Sequence, residues 1–290
     1  MATYTAVADA NGDFIVPFSS AYTSGEKITV TAEKDSATKS IELFAPSDVT
    51  GGGVIQFTGT LDNFPNNIGG VILSEISGGI GNYAFSAVSA NALSLWKKAT
   101  SLTLINSVTS IGSSAFAEWT NATQLTLSSS LASINQGAFS GWSRATSLSI
   151  PDSVLTLGQE CFYGWGSSLS LHIGSGLTNI PIQAFDGWAK ATSLAIPDQV
   201  KNIGGYAFRG WSLATSLLIG SGVKNIGDYS FMNWASCNEI ICRALTPPTI
   251  TNTSFNGLKS TCIFKVPAAS VAAYQAAPNW SAFASRIQAI

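Results

Sequence analysis

The amino-acid sequence predicts a mainly β fold with short helical turns: a solenoid of stacked coils preceded by a small β-sandwich-like module. Three observations predict it. Tryptophan stands at Trp96, Trp119, Trp142, Trp165, Trp188, Trp211 and Trp234, and every interval is 23 residues. Phenylalanine keeps the same beat at Phe116, Phe139, Phe162, Phe185, Phe208 and Phe231. Apolar pairs two residues apart recur with it, such as Leu194 and Ile196 around Ala195. A fixed period of this length arises when stacked units are each too small to bury their own apolar face.

The elements follow in chain order. Residues 1 to 47 read as short strands with polar turns: a turn at Asn11-Gly12-Asp13, an apolar run from Phe14 to Phe18, a turn at Ser24-Gly25-Glu26, then the alternating Ile28-Thr29-Val30-Thr31-Ala32. The segments ADANGDFIV and TSGEKITVTAEKDSATKS resemble bacterial immunoglobulin-like modules, over part of such a module's length. Residues 48 to 87 form a connector and N-terminal cap. They hold the strand candidate Val54-Ile55-Gln56-Phe57 and end in repeat wording, with Phe85 preceding Phe116 by 31 residues rather than 23. An atypical end unit is expected, because a terminal coil must cover the core with something other than another coil.

Residues 88 to 242 form the repeat array. Val154 and Leu157 return as Leu177 and Ile180, Val200 and Ile203, then Val223 and Ile226. Leu171 and Ile173 return as Leu194 and Ile196, then Leu217 and Ile219. Residues two apart share one side of a strand, so these pairs face inward and Ala195 faces solvent. The Ala-Phe-x-x-Trp stretch between the pairs predicts one helical turn on the opposite wall. Pro151, Gly174, Pro197 and Gly220 turn the corner after a strand. Residues 243 to 290 form a C-terminal cap, with an alanine-rich helix between Pro267 and Pro278 as the lid.

Composition narrows the function. Only 10% of residues are charged, well below the roughly 25% of an average domain. The net charge is −2 with no basic stripe, which argues against a nucleic-acid partner. No apolar run reaches the roughly 20 residues needed to cross a bilayer. The opening residues show no basic segment followed by an apolar one. They therefore point to a route that needs no secretory signal, such as virion assembly, or to a signal outside this sequence.

The cysteines Cys161, Cys237 and Cys242 replace alanine or isoleucine of other repeats and read as buried hydrophobes. Cys242 and Cys262 are the pair to check for contact on successive coils. No cysteine spacing matches a zinc site, and no metal or cofactor is expected.

Catalytic chemistry finds no constellation. The single histidine, His172, sits in the outward column of Thr103, Thr126, Ser149, Ala195, Leu218 and Ile241. Ser149 and Ala195 are its expected neighbours, and no carboxylate occupies that column, as a serine-histidine-acid triad would need. Asp152 and Asp198 fall two coils apart in turn wording, at a separation compatible with an inverting glycosidase pair. Aspartate is also a common turn residue that bonds nearby amides, and that reading is preferred.

The unit V-x-x-I-G-x-x-A-F-x-G-x-x-x-x-x-x-L-x-I-P-D-S resembles the BspA-like leucine-rich repeats. TPPTI at residues 246–250 and the terminal VPAASVAAYQAAPNWSAFASRIQAI resemble that family's closing segment, so the resemblance spans residues 80 to 290. The chain departs from it in one respect. Trp replaces a small residue, and Ala122, Ala145, Ala191 or Ala214 stands three residues later where the family usually has Leu. Volume-conserving swaps are tolerated best in cores, so the tryptophans are expected as an internal ladder and not an exposed stacking platform.

The resemblance implies adhesion, by bacterial surface proteins or phage host-recognition proteins, with no catalytic residues. The expectation is a non-enzymatic recognition protein on a virion surface, of tail-fibre or receptor-binding type, taking a host-surface glycan or protein. Ser149, His172, Ala195 and Leu218 are the ligand-facing candidates. A bacterial cell-surface adhesin and a purely structural virion spacer are the alternatives. Attachment to a larger assembly through the N-terminal module, and a homo-oligomer, are compatible with each.

Overall fold

The computed structural model describes residues 14–17, 27–34, 37–44, 54–57, 68–74, 78–88, 96–105 and 108–290. One coil shows the pattern of the array. The strand Ser193–Ile196 runs along one wall, Pro197 and Asp198 turn the corner, and Asn202–Ile203 forms a second wall. The chain then crosses a third wall through Phe208 and Trp211 before the next strand, Ser216–Ile219. Successive coils pair in parallel, with Ser193 opposite Ser216 and Asn202 opposite Asn225. Leu194, Ile196, Leu217 and Ile219 are buried and Ala195 is exposed, as the period-two pattern requires.

The third wall differs from the expected helical turn. It is a chain of tight turns whose amides alternate between two kinds of partner. The N–H groups of Gln183, Phe185 and Gly187 donate to the carbonyls of Gly205, Ala207 and Arg209 on the next coil. Those of Ala184 and Asp186 donate back to Pro181 and Gln183 within their own coil. The cause is a left-handed residue recurring in this stretch, at Gln183 (φ 56°) and Gly187 (φ 86°). Isolated residues adopt that conformation, but a right-handed helix cannot continue through them.

The core is an aromatic ladder. Trp119, Trp142, Trp165, Trp188, Trp211 and Trp234 are all fully buried, as the volume swap predicts. Adjacent indoles stack, for example Trp119 on Trp142 with centroids 5.5 Å apart and planes 2° from parallel. The phenylalanines form a second stack, Phe116 on Phe139 at 5.4 Å. Within a coil the two columns meet edge to face, as at Phe162 and Trp165. Each indole N–H finds a carbonyl on the preceding coil: Trp142 donates to Phe116 at 2.7 Å and Trp211 to Phe185 at 2.8 Å. Burying an indole without such a partner would be costly.

Both ends of the array are covered. At the N-terminal end the strand Gly69–Ser74 pairs in parallel with Ala99–Leu104. On its other side it pairs antiparallel with Val54–Phe57, which pairs antiparallel with Phe14–Pro17. Lys27–Lys34 and Ala37–Phe44 form a hairpin. The turns read at residues 11–13 and 24–26 lie outside the described residues.

At the C-terminal end the strands Glu239–Cys242, Ile263–Val266 and Ile287–Ala289 continue the first wall. The predicted lid is present as a 3-10 turn, Ala268–Ser270, running into an α-helix, Val271–Ala276. Tyr274, on that helix, and Trp280, which follows it, are fully buried. Tyr274 donates to the Ala244 carbonyl at 2.8 Å and Trp280 to that of Pro248 at 2.7 Å.

All four cysteines are buried free thiols. The pair that meets is not Cys242 with Cys262. Cys242 takes the Tyr274 hydroxyl at 3.2 Å, whereas the Cys262 sulfur lies 3.7 Å from that of Cys237. The closing unit is longer than its predecessors, with Phe255 following Phe231 by 24 residues, so the constant period misaligns this pair.

Candidate recognition surface

The first wall presents its outward columns on a nearly uncharged sheet. Ser149 stands directly opposite His172, and Ala195 opposite Leu218, in the register of parallel strands. Ser149, His172 and Ala195 are exposed, and Leu218 is half-buried. The column continues through Ile241 to Lys265 and Gln288 in the cap. Lys265 is paired there with Glu239 at 2.6 Å. The four candidates thus share one face in chain order, with the polar members nearer the N-terminal end.

The same wall does not assemble a triad. Among the described residues, no hydrogen bond links Ser149, His172 and Asp152. Asp152 is nevertheless close enough for His172 to contribute, as the smallest of several causes, to lowering its pKa. Its carboxylate is committed elsewhere: Asp152 accepts the Ser175 N–H at 2.6 Å, and Asp198 accepts that of Ser221 at 2.6 Å. These clasps reach the next coil rather than the aspartate's own turn. Bonds from the serine backbone amides are the main cause holding both carboxyls below the usual range. An inverting glycosidase needs one acid held protonated, with a raised pKa. Neither aspartate meets that need.

The corner beside the clasp alternates. Pro151 and Pro197 are followed one coil later by Gly174 and Gly220. A Cβ on Gly174 would sit 2.4 Å from the Pro151 carbonyl oxygen, and one on Gly220 2.5 Å from that of Pro197. Glycine is required at these two positions by close backbone approach.

The turn wall carries a patch that the sequence reading did not single out. Asp186, nearly fully buried, accepts two bonds from Arg209, at 3.0 Å from Nε and 2.6 Å from Nη2. The guanidinium also lies 4.9 Å over the Tyr206 ring, which stacks on Tyr229 at 5.0 Å. Register was the available signal for two of these contacts, since Asp186 and Arg209, and Tyr206 and Tyr229, are one repeat apart. Near the N-terminal end of the same wall is a hollow of about 230 Å³ lined by Tyr83, Val88, Ser114, Glu118, Gly137 and Glu160. That volume is below the roughly 300–1,000 Å³ of common small-molecule pockets.

Among the described residues no group of three or more metal-binding side chains occurs, and no helix is long and apolar enough to cross a membrane.

A model of the BspA type leucine-rich repeat region matches residues 80–208 and 178–274. The chain belongs to the BspA-type leucine-rich repeat family. Solved structures similar to this BspA-type chain include the Treponema pallidum leucine-rich repeat protein TpLRR, at 18% identity and a TM-score of 0.40, covering 79% of this chain and 90% of that one. The pneumococcal vaccine antigen PcpA is similar at 12% identity and a TM-score of 0.46, over 92% and 98% of the two chains. A leucine-rich cell surface protein from Faecalibacterium prausnitzii is similar at 15% identity and a TM-score of 0.33, over 81% and 92%. No curated protein matches the chain.

Proposed function

We propose that this BspA-type solenoid is a non-enzymatic recognition protein whose ligand contacts the first wall at Ser149, His172, Ala195 and Leu218. The observation that supports the reading is their recurrence every 23 residues at strand positions facing away from the core, Ser149 paired with His172 and Ala195 with Leu218, in a wall whose inward residues already satisfy the core. Side chains spaced by a constant strand separation suit an extended or repetitive partner, a glycan or a protein on a host or cell surface. A preformed face of this kind loses little conformational entropy on binding. In this reading residues 1–47 attach the chain to a larger assembly, the exterior of a virion. Membership of the BspA-type family favours a second setting, a bacterial cell surface with the same adhesive role.

The test uses the full chain. Ser149→Glu, His172→Lys, Ala195→Glu and Leu218→Lys combined, with opposite charges on neighbouring coils, should abolish binding to cells or glycan arrays while leaving the circular dichroism spectrum and melting curve intact. Undiminished binding by the folded quadruple variant moves the contact off this column.

A further inference from the structure

Cys237 and Cys262 occupy equivalent places in consecutive coils. The column begins with Ala122, Ala145, Ser168, Ala191 and Ala214, each with its N–H bonded to the carbonyl three residues earlier. Cys237 makes that bond to Trp234, and Cys262 makes it to Lys259. The column therefore carries cysteine in two successive units, and those are the units where the last coil of the array meets the closing cap. Their sulfurs are in contact at 3.7 Å. The neighbouring backbone is tied by the Ile263 N–H donating to the Asn238 carbonyl at 2.9 Å.

We propose that Cys237 and Cys262 are a cross-linking site that takes a small-molecule or protein disulfide as oxidant and closes into a disulfide locking the cap onto the array. The thiolate of Cys237 attacks one sulfur of the oxidant, R–S–S–R, forming Cys237–S–S–R and releasing RS⁻. The thiolate of Cys262 then displaces the second RS⁻ and forms the Cys237–Cys262 bond. Two electrons pass to the oxidant, and the two protons lost by the thiols end on the two RSH products.

The hydrogen bond from Cys262 holds the Cys237 thiol below its ordinary pKa, which makes Cys237 the first nucleophile. Both sulfurs are buried, so the exchange requires the cap to open and is slow in the closed state. Once formed, the bond pins the segment carrying the closing strand, which the reduced chain holds by non-covalent contacts alone. The inference stands apart from the identity of any ligand on the first wall.

The full chain, incubated with oxidised glutathione, unfolded in alkylating agent and digested with trypsin, tests it. The expected product is a peptide pair joining residues 225–243 to residues 260–265, lighter by two hydrogens than the two peptides with Cys242 alkylated and Cys237 and Cys262 unmodified. The Cys242→Val variant keeps this product. Cys237→Ala, which restores the residue common in that column, loses it while folding normally. The oxidised protein also melts several degrees above the reduced one. Absence of the cross-linked pair, its persistence in Cys237→Ala, its loss in Cys242→Val, or identical melting of both forms overturns the proposal.

Discussion

The indole N–H of Trp188 donates to the backbone carbonyl of Phe162, 2.9 Å away on the preceding coil. The side chain that fills one unit therefore also satisfies the backbone of its neighbour. Trp188→Ala is expected to destabilise by about 3–5 kcal/mol through the cavity it leaves. Trp188→Phe should keep part of the packing yet strand the Phe162 carbonyl, at a cost of about 1–3 kcal/mol plus that of a smaller cavity. Urea denaturation of both variants checks this, and a Trp188→Phe protein as stable as the parent removes the hydrogen bond from the account.

Because the array tryptophans from Trp119 to Trp234 are fully buried, acrylamide should quench only a small part of the emission of the folded chain. Quenching comparable to that of the urea-unfolded protein contradicts the internal ladder.

The turn wall carries left-handed residues in two columns, one mostly non-glycine and one mostly glycine, with Glu118 and Asn233 as exceptions in the second. In the first, Ser114, Glu160, Gln183, Tyr206 and Tyr229 are left-handed, and Gly137 takes the same place at φ 61°. Gln183→Gly is expected to stabilise by up to about 1 kcal/mol, because the left-handed conformation costs a non-glycine residue roughly 1–2 kcal/mol and glycine returns part of that as unfolded-state entropy. The converse substitution, Gly187→Ala at φ 86°, should destabilise. Chemical denaturation that ranks the two in the opposite order rejects the strain argument.

How much of this was legible in the sequence depended on the period. Tryptophan burial, the inward pairs around Ala195 and the alanine-like setting of Cys161 all follow from the 23-residue columns. The lid was readable from its alanines between two prolines. The turn wall was legible only in part: Gly141, Gly164, Gly187 and Gly210 advertise one left-handed column, whereas in the other Glu160, Gln183, Tyr206 and Tyr229 have no left-handed preference and only Gly137 does. The Cys237–Cys262 contact was hidden by the longer closing unit. The clasp from Asp152 was anticipated as local turn chemistry, whereas its partner is the Ser175 amide one coil away.

That clasp makes stability depend on acid. Asp152 and Asp198 have folded pKa values below the unfolded value of about 3.9. Their contribution is therefore present above about pH 3.9 and is lost as pH falls through the lower folded value. Asp228 behaves alike, lowered by hydrogen bonds from Thr251 and Thr253. Asp152→Asn with Asp198→Asn should lower the melting temperature at pH 7 and flatten the acid limb of its profile, so that variant and parent converge at low pH. An unchanged acid limb assigns the acid sensitivity to other carboxylates.

Arg209 is held to a different standard, because Asp186 is buried and depends on it. Arg209→Met should cost about 3–5 kcal/mol by leaving a buried carboxylate unpaired, and adding Asp186→Leu should recover much of the loss. A double-mutant cycle in denaturant measures the coupling, and strict additivity shows the pair to be independent.

The proline and glycine corners set the step in which such a chain can change length. Removing the unit that carries Gly174 would place Pro197 directly over Pro151, and a side-chain carbon at that corner falls within 2.4 Å of the lower carbonyl oxygen. It would also bring Asp198 over Asp152, one carboxylate directly above another. Removing two neighbouring units restores glycine above proline and serine above aspartate. Along this stretch the inherited quantum is a doublet, so relatives that share these corners are expected to differ in reach by even numbers of coils.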